Sequence, residues 1–374
     1  MSKTALVVAG GTGGHIFPGL AVAGALRDAG WRVCWLGGSG SASAPSMESQ
    51  LVPQQGFSFE PVEFTGVRGK GFASLLMLPV RLLRASWQSL RVMRRVKPDV
   101  VLGFGGYITA PAGVAAVLLR KALILHEQNS VAGMANRWLA RFADKVYTAF
   151  PEVLKQGRWI GNPLRPEFLN QPVPATRFAA RRGPLRMLVL GGSQGAIALN
   201  DVVPKALAQM PAEARPLVIH QSGKMQIERL RSNYAAAGVL AELTPFIDNT
   251  ARAMADADLV ICRAGASTVT EIAAIGAAAV FVPFPAAVDD HQTANARFLS
   301  DQHGGWLVTQ ADLTPERLAR MLTKADRPTL QAAAVAAKKM AKTGATERIV
   351  AACESWALRR KLGKTSQPDT GGKK

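Results

Sequence analysis

The sequence predicts an α/β protein built from two Rossmann-like, parallel-sheet domains, and three observations carry that prediction. A strand–glycine turn–helix unit occurs twice, as TALVVAGGTGGH leading into IFPGLAVAGALRDAG and as LRMLVLGGSQGA leading into IALNDVVPKALAQM. The two turns start at Gly10 and Gly191, about half a chain apart. Short apolar runs alternate with helical segments, as parallel βαβ units require: RVCWLGG, DVVLGF, ALILHEQ and KVYTAF in the first half, PLVIHQSG, DLVICRAG and AAAVFVPF in the second. A chain of 374 residues, at roughly 150 residues per domain, gives two or three domains. The boundaries expected are 1–164 and 165–340. Lys155–Pro184, rich in Pro, Arg and Gly, is the expected hinge, a last apolar helix covers about Ala345 to Leu358, and 361–374 is a basic, disordered tail. Two such domains facing each other would make a central cleft lined by both glycine turns.

Composition narrows the partners. The 45 basic and 26 acidic residues give a net charge of +19, which implies an anionic partner: nucleic acid, a phospholipid surface or a phosphorylated substrate. Three distant cysteines, Cys34, Cys262 and Cys353, argue against disulfides and a zinc site. The start, MSKTALVVAGG, reads as a buried first strand rather than a signal peptide. The longest mostly apolar stretch, Ile272 to Val288, is slightly short for a spanning helix, which takes about 20 residues. It carries Pro283 and Pro285, and reads as a helix, a turn at Gly276 and a buried strand at Ala278–Val282. A soluble or peripheral protein is expected.

Six motifs fall at strand ends or helix starts. Gly10-Gly11-Thr12-Gly13-Gly14-His15 lets backbone amides approach a ligand ahead of a helix N-terminus, with His15 at the exit. It lacks the third glycine, and RVCWLGG lacks the terminal acid, of a nicotinamide dinucleotide site. Gly191-Gly192-Ser193-Gln194-Gly195-Ala196 has the same character. In Cys262-Arg263-Ala264-Gly265-Ala266-Ser267-Thr268-Val269-Thr270-Glu271, two readings stay open. One is a capping box, Thr268-x-x-Glu271 or with Ser267 as cap; the other sets the helix start under a diphosphate and Glu271 on a ribose diol. Asp289-Asp290-His291-Gln292-Thr293-Ala294-Asn295 places Gln292 and Asn295 on one helix face, able to read sugar hydroxyls or to serve as an ordinary polar helix start. His126-Glu127-Gln128-Asn129 follows ALIL, and Gly103-Phe104-Gly105-Gly106-Tyr107 ends the strand before it.

The stretch Phe72 to Val96 mixes Leu75, Leu76, Leu78, Leu82, Leu83 and Trp87 with Arg81, Arg84, Arg91, Arg94 and Arg95. An apolar face edged by arginines suits a lipid interface, where each nearby cation adds about 1 kcal/mol against anionic headgroups. A core helix with a basic solvent face is the alternative. The docking residues expected are Leu75, Leu78, Leu82, Trp87, Arg81 and Arg84.

Together these motifs resemble the MurG family of UDP-N-acetylglucosamine transferases. The resemblance runs in order through GGTGGHIFPGLAVA, GGYITAPAG, HEQNSVAGMANR, GNPLR, GGSQGA, PFIDN, CRAGASTVTEIAAIG and FVPFPAAVDDHQTANA, over nearly the whole chain. It implies a GT-B fold whose last helix, about 341–360, packs back on the first domain. The implied reaction passes N-acetylglucosamine from UDP to the 4-hydroxyl of a lipid-linked muramyl pentapeptide, converting lipid I to lipid II in peptidoglycan synthesis.

By that resemblance the second domain holds the donor. Ile247 meets uracil through its backbone. Ser193 and the helix start Ala266, Ser267, Thr268, Val269 and Thr270 hold the diphosphate, Glu271 the ribose, and Gln292 with Asn295 the sugar. Arg165 and Asn129 complete the donor contacts. Thr12, Gly13 and Gly14 also contact substrate, and His15, Tyr107 and His126 face the acceptor. The family commonly reads Ala-Leu-Thr where this chain has Ala-Ser-Thr.

An α-linked donor and a β-linked product imply one in-line displacement through an oxocarbenium-like state. His15 is the expected base, with Glu127 in reserve. Helix-start amides and Arg165 would stabilise the leaving diphosphate without a metal, and no cofactor is expected. Partners expected are the donor, the undecaprenyl-diphosphate acceptor, an anionic membrane surface at the cytoplasmic face of the inner membrane, and cell-wall or division proteins. Two rival readings exist. A UDP-sugar 2-epimerase of the same fold would not need residues 72–96 or the HEQN motif. A basic nucleic-acid module is disfavoured because the aromatics form no interleaved platform.

Overall fold

The structure is a computed structural model that describes residues 3–40, 44–64, 77–192 and 195–365, with side chains as far as 359. The chain forms two compact units. One comprises Met1–Gln128, Ala132–Leu164 and Thr343–Lys374, the other Asn129–Val131 and Arg165–Lys342.

The first unit holds seven strands: β1 (Thr4–Val8), β2 (Arg32–Gly38), β3 (Ser58–Val62), β4 (Val100–Gly103), β5 (Ala122–Glu127), β6 (Lys145–Thr148) and β7 (Arg158–Trp159). They lie in the order β3-β2-β1-β4-β5-β6-β7, every pair parallel. All five residues of β1 are buried, as a parallel sheet covered on both faces demands. Alternation along the strands divides the core. Ala5, Val7, Trp35, Leu102 and Ile124 face one layer, with Ile16, Val22 and Leu26 of α1 (Gly13–Asp28) and Ala345, Ile349 and Cys353 of the C-terminal helix Ala345–Thr365. Leu6, Val8, Leu36, Val101 and Leu125 face the other, which also takes in α3 (Leu78–Val96) and α4 (Thr109–Leu118). Two shorter helices, α2 (Met47–Gln54) and α5 (Met134–Leu139), follow β2 and β5.

The second unit repeats the plan with β8 (Arg186–Leu190), β9 (Leu217–Gln221), β10 (Glu242–Thr244), β11 (Leu259–Cys262), β12 (Ala279–Phe281) and β13 (Trp306–Leu307), ordered β10-β9-β8-β11-β12-β13. Its functional helices are α6 (Ile197–Ala208), α7 (Ala266–Ile275) and α8 (His291–Ser300). At Gly276 the chain turns left-handed, φ 69°, and the N–H closes α7 on Ile272 and Ala273. A side chain there would strike the Ala334 carbonyl oxygen, 3.0 Å away. The chain then drops into β12, so Ile272–Val288 divides as its composition predicts.

In each sheet the strand order reverses beside the first strand. The switch falls between β1 and β4 in the first unit and between β8 and β11 in the second, which is where open α/β sheets take ligands. Four strands escaped the sequence reading: β3, β7, β10 and β13. Each is a short edge or near-edge strand with little apolar signal, and β3 carries Pro61. The two-residue β7 lies in the segment read as hinge.

Asp258 is fully buried and ties the second unit together. Its Oδ1 accepts from Arg181 at 2.8 Å, and its Oδ2 accepts from the Arg186 N–H at 2.8 Å and from Arg327 at 3.4 Å. Asp258→Ala leaves Arg181 buried beside no anion, and is expected to cost about 3–5 kcal/mol. Scanning calorimetry should show it as a lowered transition.

Candidate active site

In the first unit, β1 delivers the turn Gly10–Gly14 to the switch point. Thr12 is the N-cap of α1 by backbone geometry, yet its hydroxyl makes no cap bond. It meets His15 Nδ1 at 3.1 Å instead. The His15 ring lies against Gly105, where an added Cβ would sit 3.0 Å from Cδ2 and 3.2 Å from Nε2. That same point lies 3.5 Å from Asn136 Nδ2, so His15, Gly105 and Asn136 are gathered at one place. A ring held at Nδ1 and packed on backbone can present Nε2 as a proton acceptor.

Three first-unit residues expected at the acceptor or as reserve base are engaged by the scaffold. His126 does not face outward: it is 2 % exposed, its Nε2 lies 2.9 Å from the Gly161 carbonyl oxygen and its ring packs on Phe104. Burial lowers its pKa to about 4, so the ring is neutral near pH 7. Glu127, also 2 % exposed, holds the Gly133 N–H at 3.0 Å and Asn136 Nδ2 at 2.9 Å through Oε2. Through that oxygen it anchors the α5 start. Tyr107 turns its hydroxyl inward onto Glu48 Oε1 at 3.1 Å, and burial followed by the Glu48 charge raises its pKa.

In the second unit, α7 starts without a side-chain cap. Gly265 is the N-cap, and Ser267 and Thr268 stand inside the first turn, so the capping-box alternative fails. Ser267 Oγ is buried with no hydrogen-bond partner among the described residues. The amides of Ala266, Ser267 and Thr268 therefore form an N-terminal anion site with a hydroxyl beside it. Val269 and Thr270 are engaged within the helix. Val269 is wholly buried and its N–H bonds the Gly265 carbonyl; the Thr270 hydroxyl bonds the Ala266 and Ser267 carbonyls. Glu271 follows on the same helix. Burial raises its pKa to about 7, against the lowering effect of Arg165, while Glu167 adds to the rise. Arg165 pairs with Glu167 at 3.0 Å.

At α8 the amide pair divides its tasks. Gln292 Oε1 accepts the Phe284 N–H at 2.9 Å, which leaves its amide nitrogen for a ligand. Asn295 is 0 % exposed. Its Oδ1 takes both the N–H and hydroxyl of Ser130 at 2.8 Å, and its Nδ2 donates to the Ala264 carbonyl at 3.2 Å. It secures Asn129–Ser130. The turn before α8 carries two successive left-handed residues, Asp289 (φ 54°) and Asp290 (φ 48°). Ile247 lies on the loop after β10, its carbonyl taken by the Thr250 hydroxyl at 3.2 Å. Ser193 lies outside the described residues, as does Leu75.

On α3 the outward apolar side chains are Val80, Leu83 and Trp87, with Leu83 73 % and Trp87 55 % exposed. They recur at spacings of three and four, one helical face. Leu78 and Leu82 belong instead to the flank packed on the core, which corrects their assignment as docking residues. Arg84 pairs with Glu63 at 2.5 Å, Arg91 stacks over Trp87 at 4.0 Å, and Arg81 is exposed. Among the described residues no helix is long and apolar enough to cross a membrane.

Sequence reasoning missed Glu48, Ser130 and Asn136. Glu48 carried a faint signal, an acid in the first turn of a Ser-capped helix. The pairing of Ser130 with Asn295 spans 165 residues, and nothing in the local sequence shows it.

Two switch-point turns on two Rossmann-like units make the frame of a glycosyltransferase, and comparison with known proteins agrees. Residues 5–148 match the glycosyltransferase family 28 N-terminal domain, and residues 186–349 match the glycosyltransferase family 28 C-terminal domain. The chain belongs to glycosyltransferase family 28, within its MurG members. It is 70 % identical over 351 residues, 94 % of this chain and 90 % of the relative, to the UDP-N-acetylglucosamine--N-acetylmuramyl-(pentapeptide) pyrophosphoryl-undecaprenol N-acetylglucosamine transferase of Albidiferax ferrireducens. The protein of the same name from Polaromonas naphthalenivorans is 68 % identical, covering 95 % of this chain and 99 % of the relative. The crystal structure of Acinetobacter baumannii MurG matches with a TM-score of 0.82 at 39 % identity, covering 94 % of this chain and 99 % of that one. The glycotransferase of kitacinnamycin, at 16 % identity, TM-score 0.70 and coverage of 95 % and 99 %, shares the fold.

His126 is neutral in the fold, with its pKa near 4, and charges near 6.5 once unfolded. Its contribution is therefore full above pH 6.5 and is lost as the pH falls toward 4. Urea unfolding is expected to show about 2 kcal/mol lost from this group between pH 7.5 and 5, and a smaller fall in His126→Gln.

Proposed function

We propose that this chain transfers N-acetylglucosamine from UDP-N-acetylglucosamine to the 4-hydroxyl of an undecaprenyl-diphosphate-linked muramyl pentapeptide, the step from lipid I to lipid II in peptidoglycan synthesis. The observation that carries the reading is the 70 % identity over 94 % of the chain to a transferase of that name. The site geometry supports it in both units.

The donor belongs to the second unit. The uncapped amides of Ala266, Ser267 and Thr268, with Ser267 Oγ, meet the diphosphate. They do so as fixed dipoles that need no reorganisation when negative charge grows on the leaving UDP. Arg165 adds a cation beside Glu271. The Glu271 carboxylate accepts the two ribose hydroxyls, the Ile247 backbone meets uracil, and the Gln292 amide nitrogen reaches the sugar. Asn295 holds Asn129 and Ser130 for the same donor.

The acceptor belongs to the first unit. His15 Nε2 takes the proton of the attacking hydroxyl, for which Nδ1 must carry its own proton and donate to Thr12 Oγ1. The hydroxyl attacks the anomeric carbon in line with the departing UDP, with inversion. A well-placed base contributes about 10²–10⁴-fold. The leaving group is met by backbone amides and an arginine, so transfer is expected to proceed without a divalent metal.

Docking is assigned to the outer face of α3. Val80, Leu83 and Trp87 enter the lipid interface while Arg81, Arg84 and Arg91 meet anionic headgroups. This makes the chain a peripheral protein of the inner membrane, on the face where the nucleotide-sugar is made.

Two assays test these roles. His15→Ala is expected to keep UDP-N-acetylglucosamine affinity and lose about 10²-fold or more in turnover, whereas Glu271→Gln loses donor affinity. Glu271 is ionised above a pKa near 7, so donor affinity measured by calorimetry should rise about five- to tenfold from pH 6 to 8. That rise should vanish in Glu271→Gln; a pH-independent parent would refute the ribose assignment. Separately, Leu83→Glu with Trp87→Glu should abolish sedimentation with anionic vesicles while sparing turnover on a soluble acceptor analogue.

A further inference from the structure

We propose that Glu48 is a positioning residue for transfer: an acceptor-only anchor that holds Tyr107 and so fixes the Gly10–Gly14 turn in the geometry the acceptor meets. The proposal rests on the acceptor reading of the first unit and extends it to a residue outside the motifs that define that reading.

Three donors converge on this one carboxylate. The Gly11 N–H donates to Oε2 at 3.2 Å, the Gly38 N–H to Oε1 at 3.2 Å, and the Tyr107 hydroxyl to Oε1 at 3.1 Å. The side chain is completely buried. A buried carboxylate is retained only where hydrogen bonds replace its water, and here they come from three separate segments: the turn after β1, the end of β2 and the turn after β4. Glu48 itself stands in the first turn of α2, where the helix dipole favours an anion. That helix is pinned in turn. Ser46 accepts the Ser49 N–H at 3.1 Å and donates to the Gly38 carbonyl at 2.5 Å.

The surrounding glycines follow from the same group. A Cβ on Gly10 would overlap the Glu48 carboxylate, one on Gly37 would lie 2.8 Å from Glu48 Cγ, and one on Gly38 would overlap the Tyr107 hydroxyl. Three strand-end glycines thus make room for the anchor and its partner. The chain of effect is short. Glu48 holds Gly11, Gly11 precedes Thr12, and the Thr12 hydroxyl holds His15. A shift of about 1 Å in such a turn can lower turnover some 10²-fold.

An acceptor-only site dictates the decisive substitution. Both carboxylate oxygens face donors, so Glu48→Gln must set its NH2 against at least one of them at nearly unchanged volume. Expected for Glu48→Gln is a 30- to 100-fold fall in kcat on lipid acceptor with UDP-N-acetylglucosamine affinity within twofold of the parent. A double-mutant cycle with Tyr107→Phe separates positioning from mere support of the fold. If Glu48 acts by placing Tyr107 and the turn, Glu48→Gln should cost several-fold less in the Tyr107→Phe background than in the parent. Strict additivity, kcat within threefold of the parent, or a parallel loss of donor affinity would each overturn the proposal. Should Glu48→Gln melt below the assay temperature, Glu48→Asp, which keeps the charge and shortens the reach, enters the same cycle under the same criteria. A parent chain without transfer would instead overturn the functional reading, and the anchor with it.

Discussion

The backbone N–H groups at the start of α7 have no acceptor within their own helix, and Gly265, standing where a capping side chain would, offers none. The diphosphate assignment follows from that constraint. A first turn left uncapped at the carboxyl end of a central strand is unstable with respect to any anion that can reach it. Ser267 Oγ, buried and unbonded beside it, sharpens the demand. The second unit thus keeps local polar groups unsatisfied at its switch point, where the sheet leaves room for a ligand.

Within each unit, several polar side chains act as internal struts. Asn295 commits its amide to Asn129, Ser130 and Ala264; Glu127 commits its Oε2 to Gly133 and Asn136. Thr270 folds back on its own helix. Each ties a polar group to the scaffold. This is the arrangement expected where catalytic groups must be held to within a fraction of an ångström by neighbours already locked in place. His15, held by Thr12 on one side and by Gly105 on the other, is the first unit's example.

The α3 face illustrates how pattern and placement differ. Leucines and arginines dense enough for a lipid interface are visible in the sequence. Which leucines look outward depends on which side of the helix packs on the core, and that packing puts Leu78 and Leu82 on the core flank and Leu83 at the surface.

By itself the sequence determined the two Rossmann-like units, the glycine turns at Gly10 and Gly191, the break at Gly276 and the membership of a transferase family. These depend on periodicity, glycine placement and motif order, all of which are local in the chain. Only the tertiary structure decided which polar groups are spoken for. His126, Glu127 and Asn295 sit in motifs indistinguishable by residue type from those of His15, Glu271 and Gln292, and Glu48 sits in no motif. Hydrogen-bond satisfaction is set by partners brought together across the sheet, such as Gly161 for His126, Ser130 for Asn295, and Gly11, Gly38 and Tyr107 for Glu48. No local reading of the chain contains those distances.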